Sequence, residues 1–354
     1  MKKTICRFLI FCLASVPFLA HSQDKKEKPA VTYEELYDEP YSINKLFIGV
    51  QPLYGELFAT NVNAGYGIEA SYYYKDKMDF KAHFRKTYSS SFYDFNRQAA
   101  LDNSDLSDKP QIYNYFELGG TYHIKDFDES GKTKMVLYKK SFKGNRWAAN
   151  VPLHAEVPCK VRKIYGVRLG GIVWKSSVDL NRALKSQGLT NADIVNASGG
   201  GLPLLASPDP LTGAPKNFNV YGNIFATNVY VGGSMAWFRN VAVSFDKYEE
   251  GLDDGLLTLY FDILFAPNLA LDPVTYRDPV TNITDTYSTS AIKTTSFGFR
   301  AGIDGKFNRT LSWSYGGEIG LRPSISGQGF YAMFKISFPV FGTNLDYKVE
   351  SFGK

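Results

Sequence analysis

The side chains best equipped for acid–base chemistry are His83 and His123. Asp79 lies four residues before His83, and Glu117 lies six before His123. Even spacings keep side chains on one face of an extended strand. A histidine held by a carboxylate works as a general base when a nucleophile or an oriented water stands beside it. No serine or acid cluster is marked beside either pair. The expected role is an interior hydrogen-bond network, and the chain reads as non-enzymatic, with no catalytic residue.

Two further stretches imitate ligand loops. Asp126-Phe127-Asp128-Glu129-Ser130-Gly131 begins like a calcium loop, but Leu137 occupies the position of the closing bidentate glutamate. An Asp/Gly-rich turn between strands is the expected reading. Ser198-Gly199-Gly200-Gly201 lacks the Lys-Ser/Thr that completes a phosphate loop. Cys6 and Cys12 leave with the expected signal peptide, so Cys159 has no intrachain disulfide partner. Neither a metal site nor a cofactor is indicated.

The elements that position these residues follow from a period of two. Ala64, Tyr66, Ile68, Ala70, Tyr72 and Tyr74 share one face, opposite Gly65, Gly67, Glu69, Ser71 and Tyr73. After a tight Lys75-Asp76-Lys77 turn, Met78, Phe80, Ala82 and Phe84 oppose Asp79, Lys81, His83 and Arg85. The C-terminal third repeats the pattern: Phe297, Phe299, Ala301 and Ile303 oppose Gly298, Arg300, Gly302 and Asp304. Segments of about 10 residues suffice to cross a bilayer on a tilted strand. A polar face of glycine, serine and mixed charge suits a narrow lumen, and Tyr72, Tyr74, Tyr88, Trp174, Trp237 and Trp313 lie where interfacial girdles form. The composition agrees, with 24 Tyr, 26 Phe and 31 Gly and a negative mean hydropathy.

The N-terminus has a separate character. Lys2, Lys3 and Arg7 precede an apolar run from Phe8 to Ala20, and Ala20-His21-Ser22 offers a small-residue cleavage site. That run is short of the roughly 20 residues a spanning helix needs. The expected organisation is a signal peptide over 1–22, a periplasmic N-terminal arm over 23–44, a barrel over 45–341 and a polar tail over 342–354. Loss of Lys2, Lys3 and Arg7 takes the formal +5 to about +2, which gives no support for nucleic-acid binding.

The expected fold is all-β, a transmembrane antiparallel up-and-down barrel of twelve strands, with fourteen as the alternative. The expected strands span 45–53, 64–75, 78–88, 111–124, 133–142, 147–157, 162–176, 218–238, 256–266, 292–304, 309–322 and 328–340. Short connections at Lys75–Lys77, Phe127–Lys132, Pro158–Val161 and Gly305–Asn308 read as periplasmic turns. The long connections 89–110, 178–217 and 267–291 read as extracellular loops. Residues 239–255 make a longer connection that could hold extra strands. In the loop 178–217, Asn181 to Val195 has a helical character, and Leu202, Leu204, Leu205 and Leu211 follow among prolines. Leucines of that kind are expected to plug the mouth or to dock on a partner.

Parity assigns Glu69, Asp79, Lys81, His83, Arg85, Glu117, His123, Arg168, Asp262, Arg300, Glu318 and Lys335 to the lumen. Their signs balance, where an ion-selective pore would carry a ring of one sign. Balanced charges in a narrow bore are expected to pair across it, so a plugged or very narrow lumen is favoured over an open channel.

The last strand, Gly329-Phe330-Tyr331-Ala332-Met333-Phe334-Lys335-Ile336-Ser337-Phe338, carries a glycine and alternating apolar residues, with Gly329, Phe334, Ile336 and Phe338 its main marks. It resembles the signal read by barrel-assembly machinery, although here a polar tail follows it. Across residues 45–341 the chain resembles Gram-negative outer-membrane β-barrel proteins. That resemblance implies residence in the outer membrane, contact with its lipid and lipopolysaccharide, and assembly-machinery partners during insertion. Protein partners in the outer membrane or periplasm are also expected. The functional expectation is a structural or accessory subunit of an envelope complex for secretion, barrel assembly or surface display. A narrow channel for small solutes is the second reading and a barrel hydrolase a distant third.

Overall fold

The computed structural model describes residues 32–58, 61–89, 100, 105, 109–143, 146–203, 205–208, 215–216, 220–245, 250–278, 280–309 and 313–343. The expected signal peptide lies outside them, as do Leu204, Leu211 and most of the loop 89–110. Leu205 opens a short strand, β8.

Strand β1 (Tyr33–Asp38) precedes β2 (Leu46–Phe58), β3 (Asn61–Tyr74), β4 (Met78–Thr87), β5 (Asn114–Lys143) and β6 (Arg146–Asp179). Helix α1 (Leu180–Gln187) and the short strands β7 (Val195–Asn196), β8 (Leu205–Pro208) and β9 (Pro215–Lys216) occupy the next connection. Then come β10 (Tyr221–Phe238), β11 (Val241–Phe245), β12 (Gly251–Asp253) and β13 (Gly255–Leu271). Strands β14 (Val274–Arg277), β15 (Thr284–Ser288) and β16 (Thr294–Thr295) lead to β17 (Phe297–Phe307), β18 (Ser314–Leu321), β19 (Ser324–Ile325) and β20 (Phe330–Thr343).

Ten of these strands close into one antiparallel barrel, in the order β10-β13-β17-β18-β20-β2-β3-β4-β5-β6. The first and last wall strands, β2 and β20, pair with each other, and β6 pairs with β10 to complete the ring. The ring is therefore smaller than the twelve strands expected. The difference lies in Phe127–Lys132 and Pro158–Val161, expected as turns and found in mid-strand. Phe127 pairs with Lys163, and Lys132 pairs with Pro158. Asp126 and Glu129 meet Arg162 and Lys163 across the ladder, so the acids that imitate a turn serve a strand instead. What read as four strands is one continuous hairpin.

Both described ends of the barrel segment lie at one rim, here called the terminal end. The β3–β4 turn sits there, with Lys75 at φ 47° and Asp76 at φ 54°. Two successive positive-φ residues make the tight turn whose twist matches paired strands. The long connections carrying α1, β14, β15 and β19 lie at the opposite rim, the loop end.

The wall obeys alternation. Ile68, Phe80, Phe84, Leu118, Leu169, Val231, Phe261, Ile263, Ile319 and Phe334 all face outward and are exposed, forming an apolar belt around the ring. Tyr66, Tyr74, Tyr88 and Trp313 are exposed along with it. Trp174, expected in a girdle, is instead 1% exposed inside the bore, its ring 5.2 Å from Phe58. Its strand runs on to Asp179, so Trp174 sits within the wall on the inner parity and not at its rim.

Beyond Tyr122 and Arg162, β5 and β6 lose their outer neighbours β4 and β10 and continue as a two-stranded arm past the terminal end. At about 3.4 Å per residue, 124–143 spans roughly 60 Å. The arm's root is not bare. Strands β1, β11 and β12 form a three-stranded sheet beside it, and Val241, Val243 and Phe245 bury Met135, Leu137, Ala155, Val157, Cys159 and Val161. Extra strands thus do occur within 239–255, as a separate sheet and not in the wall.

Candidate functional site

Among the described residues, packed side chains occupy the bore in successive layers from the terminal end to the loop end. At the terminal end the segment before β2 crosses the opening and is tied to two connections. Asn44 N–H donates to Asn308 Oδ1 at 2.6 Å, Asn308 Nδ2 donates to the Ser42 carbonyl at 2.9 Å, and Asn240 Nδ2 donates to the same carbonyl at 2.8 Å. Ile43, Phe47, Tyr73, Ile164, Phe238 and Leu256 form a small apolar cluster there.

Above it lies a polar chamber. Lys335 Nζ meets Glu69 at 2.6 Å and Asp304 at 3.1 Å, and Lys81 lies 3.5 Å from Asp304. Gln51, Ser314 and Ser337 donate to the same Glu69 carboxylate, and His83 Nδ1 is 3.7 Å from it. Lys306 donates to Ser71 and lies over the rings of Phe47 and Tyr73. These residues line a cavity of about 40 Å³, room for a few waters. Beside it, His123 uses both ring nitrogens, Nε2 to Asp79 at 3.1 Å and Nδ1 to the Asp76 carbonyl at 2.9 Å.

The middle layer is denser. Arg300 reaches Glu117 at 2.5 Å, Asp262 at 2.8 Å and Glu318 at 3.7 Å. Arg168 grips Asp262 with two bonds, at 2.9 and 3.2 Å, and Arg85 meets Glu318 at 3.4 Å. The guanidiniums lie over aromatic faces, Arg168 4.1 Å above Tyr260, Arg300 4.4 Å above Tyr230 and Arg85 4.8 Å above Tyr115. Planar guanidinium suits this use because it can pair edge-on with carboxylate and stack face-on with a ring. Glycine makes room for it: a Cβ on Gly170 would lie 2.5 Å from the Tyr230 ring.

Nearer the loop end, Arg322 bonds Glu56 at 2.8 Å and Tyr113 Oη at 3.1 Å, with its plane 4.1 Å from Tyr331. Over this layer α1 caps the mouth. Asp179 accepts from the N–H groups of Asn181 and Arg182, and Gly188, at φ 71°, ends the helix. The helical character expected as far as Val195 therefore stops at Gln187, with one 3₁₀ turn beyond it. Leu180, Leu184, Ile194, Leu202, Tyr276, Tyr287 and Ile292 form one buried cluster over the bore. Leu202, of the four loop leucines considered, is 3% exposed within that cluster.

All twelve charged or histidine residues placed in the lumen by parity lie inside the ring and join this network. The expected lumen set lacks Glu56, which lies beyond the expected strand 45–53, and Arg322, which shares the parity of Glu318 in the expected strand 309–322. Pro52 and Leu53 are both exposed where the β2 register shifts, and a bulge of this kind reverses the faces beyond it. Arg322 follows the end of β18 and turns in from a connection. Among the described residues no group of three or more His, Cys, Asp or Glu could hold a metal ion. The Asp126–Gly131 stretch lies within a strand, with Asp126 committed to Arg162. Chemically, the site holds itself closed.

No protein-family model matches the chain, and no curated protein matches it in sequence.

Proposed function

We propose that the chain is an integral outer-membrane β-barrel that works as a structural or accessory subunit of an envelope complex, with its termini and arm in the periplasm. The observation that carries the reading is the pairing of a sealed bore with a long projection. Among the described residues, a ring whose interior is committed to Arg300, Asp262, Glu117 and Glu318 leaves little room for solute, whereas the arm presents surface well away from the wall. The apolar belt supports membrane insertion, since a continuous exposed band of Leu, Ile, Val and Phe is not tolerated in water. Long connections at one rim and both ends of the barrel segment at the other support the orientation.

Two measurements test it. The mature chain should need detergent for extraction and should migrate faster unheated than boiled on a gel. In planar bilayers it should give no steady single-channel current. Reproducible conductance steps would favour the narrow-channel reading and remove the sealed scaffold. Under the leading reading, mild-detergent purification returns the barrel with stoichiometric partners.

A further inference from the structure

Near the terminal end, Trp237, Leu257, Gly305 and Tyr315 stand side by side across β10, β13, β17 and β18 on the outer parity. The glycine opens this row, because a Cβ on Gly305 would collide with the Tyr315 ring. With Leu259, Ile303 and Phe307 the row lines an apolar trench of about 460 Å³ on the outer side of the wall. The rings of Phe307, Trp313 and Tyr315 follow one another with centroids 6.3 and 5.3 Å apart, and Arg309 lies 4.8 Å over Phe307. Arg239 borders both the trench and a second hollow of about 760 Å³, between the root of the arm and β12. Lys132, Lys134 and Arg309 border that hollow too, against Glu250 and Asp253.

Each arginine is anchored by one aspartate, Arg239 by Asp253 at 3.6 Å and Arg309 by Asp254 at 3.5 Å, and their side chains stay 41% and 43% exposed. Both therefore keep N–H donors to spare, and Arg239 Nε has no hydrogen-bond partner among the described residues. Aromatic rings and long cationic side chains gather at the interface of any membrane barrel. A girdle of that kind accounts for Trp313 and Tyr315. It does not account for cations set off the wall, on the arm, and joined to an apolar trench at Arg239. A small soluble anion has no use for the trench, and an uncharged lipid none for the cations. We infer that trench and hollow form one site for an anionic phospholipid. An acyl chain lies along the trench, and the phosphate sits among Arg239, Arg309, Lys132 and Lys134, since guanidinium pairs bidentately with phosphate. The inference rests on the membrane reading proposed above and places the lipid in the leaflet at the terminal end.

The test uses the chain from Gln23 onward, full length, in micelles of an uncharged detergent doped with dioleoylphosphatidylglycerol or with dioleoylphosphatidylcholine. Lipid that stays on the protein is counted by native mass spectrometry. One phosphatidylglycerol should remain bound at concentrations where phosphatidylcholine does not. A combined Lys132→Gln, Lys134→Gln and Arg239→Gln variant should bind phosphatidylglycerol at least about tenfold more weakly. Leu257→Trp, which fills the trench and leaves every charge in place, should also lose the bound lipid, and both variants should keep the heat-modifiable gel mobility of a folded barrel. Equal retention of the two lipids by the wild type, or undiminished phosphatidylglycerol binding in either variant, overturns the inference. Displacement of the lipid by glycerol phosphate at equal concentration makes the hollow an ion site without a chain and overturns it too. A wild-type chain without heat-modifiable mobility sinks the barrel reading itself, so the two failures are distinguishable.

Discussion

Arg300 is the residue on which most of the interior depends. It is 1% exposed and within 4 Å of three carboxylates. Replacing one member of a buried ion cluster leaves its partners charged and unpaired, which costs about 3–5 kcal/mol. Arg300→Met should therefore lower the urea midpoint for loss of the fast-migrating band sharply, and Lys81→Met, at a 3.5 Å contact beside the cavity, should lower it less. Equal shifts would mean the middle layer has no special weight. Cys159 belongs to the arm, where burial pushes its thiol above the ordinary value. It should react slowly with maleimide at pH 7 and quickly once denatured, since only thiolate attacks. Prompt labelling of the native protein would place the β1–β11–β12 sheet elsewhere. Parity made the lumen charges legible because their strands alternate without interruption across the positions those charges occupy. Glu56 escaped it beyond a bulge at Pro52, whereas Arg322 shares the parity of Glu318 and was legible within 309–322.

At the scale of elements, the wall strands were legible and the arm was not. Lys75-Asp76-Lys77 announced a hairpin, and the clean alternation of 297–304 and 328–340 announced wall strands. In 124–163 the exposed charges Lys125, Asp128, Glu129 and Lys160 fall on both faces of the ribbon, so the contrast between an apolar and a polar face that marks a wall strand is weakened although the strand continues. Period-two reasoning detects one apolar face, and a ribbon buried only against a small sheet shows it weakly. The cap is a different kind of element, packed over a bore already closed beneath it. Replacing 181–219 by a short linker should leave the barrel folded and non-conducting, because the Arg322 and Arg300 layers remain. Steady current from that variant in a planar bilayer would move the seal from the ion layers to α1.

Taken whole, the molecule is a ring closed at three levels, by a crossing N-terminal segment, by stacked arginines and carboxylates, and by an apolar cap. Such redundancy is unlike a pore, where a single constriction suffices to gate flow. Gly170→Leu should test how tightly the middle is packed. The new side chain would overlap Tyr230, and overpacking of this kind costs about 1–3 kcal/mol, read as an earlier urea midpoint with the gel shift retained. An unchanged midpoint would show the interior to be looser than described. The absence of any break between wall and arm has a mechanical consequence. A pull on the tip along its axis loads β5 against β4 and β6 against β10 lengthwise, so many ladder bonds resist together in shear instead of opening one after another. The projection is built as a stiff tether, able to carry tension into the barrel wall without unravelling it.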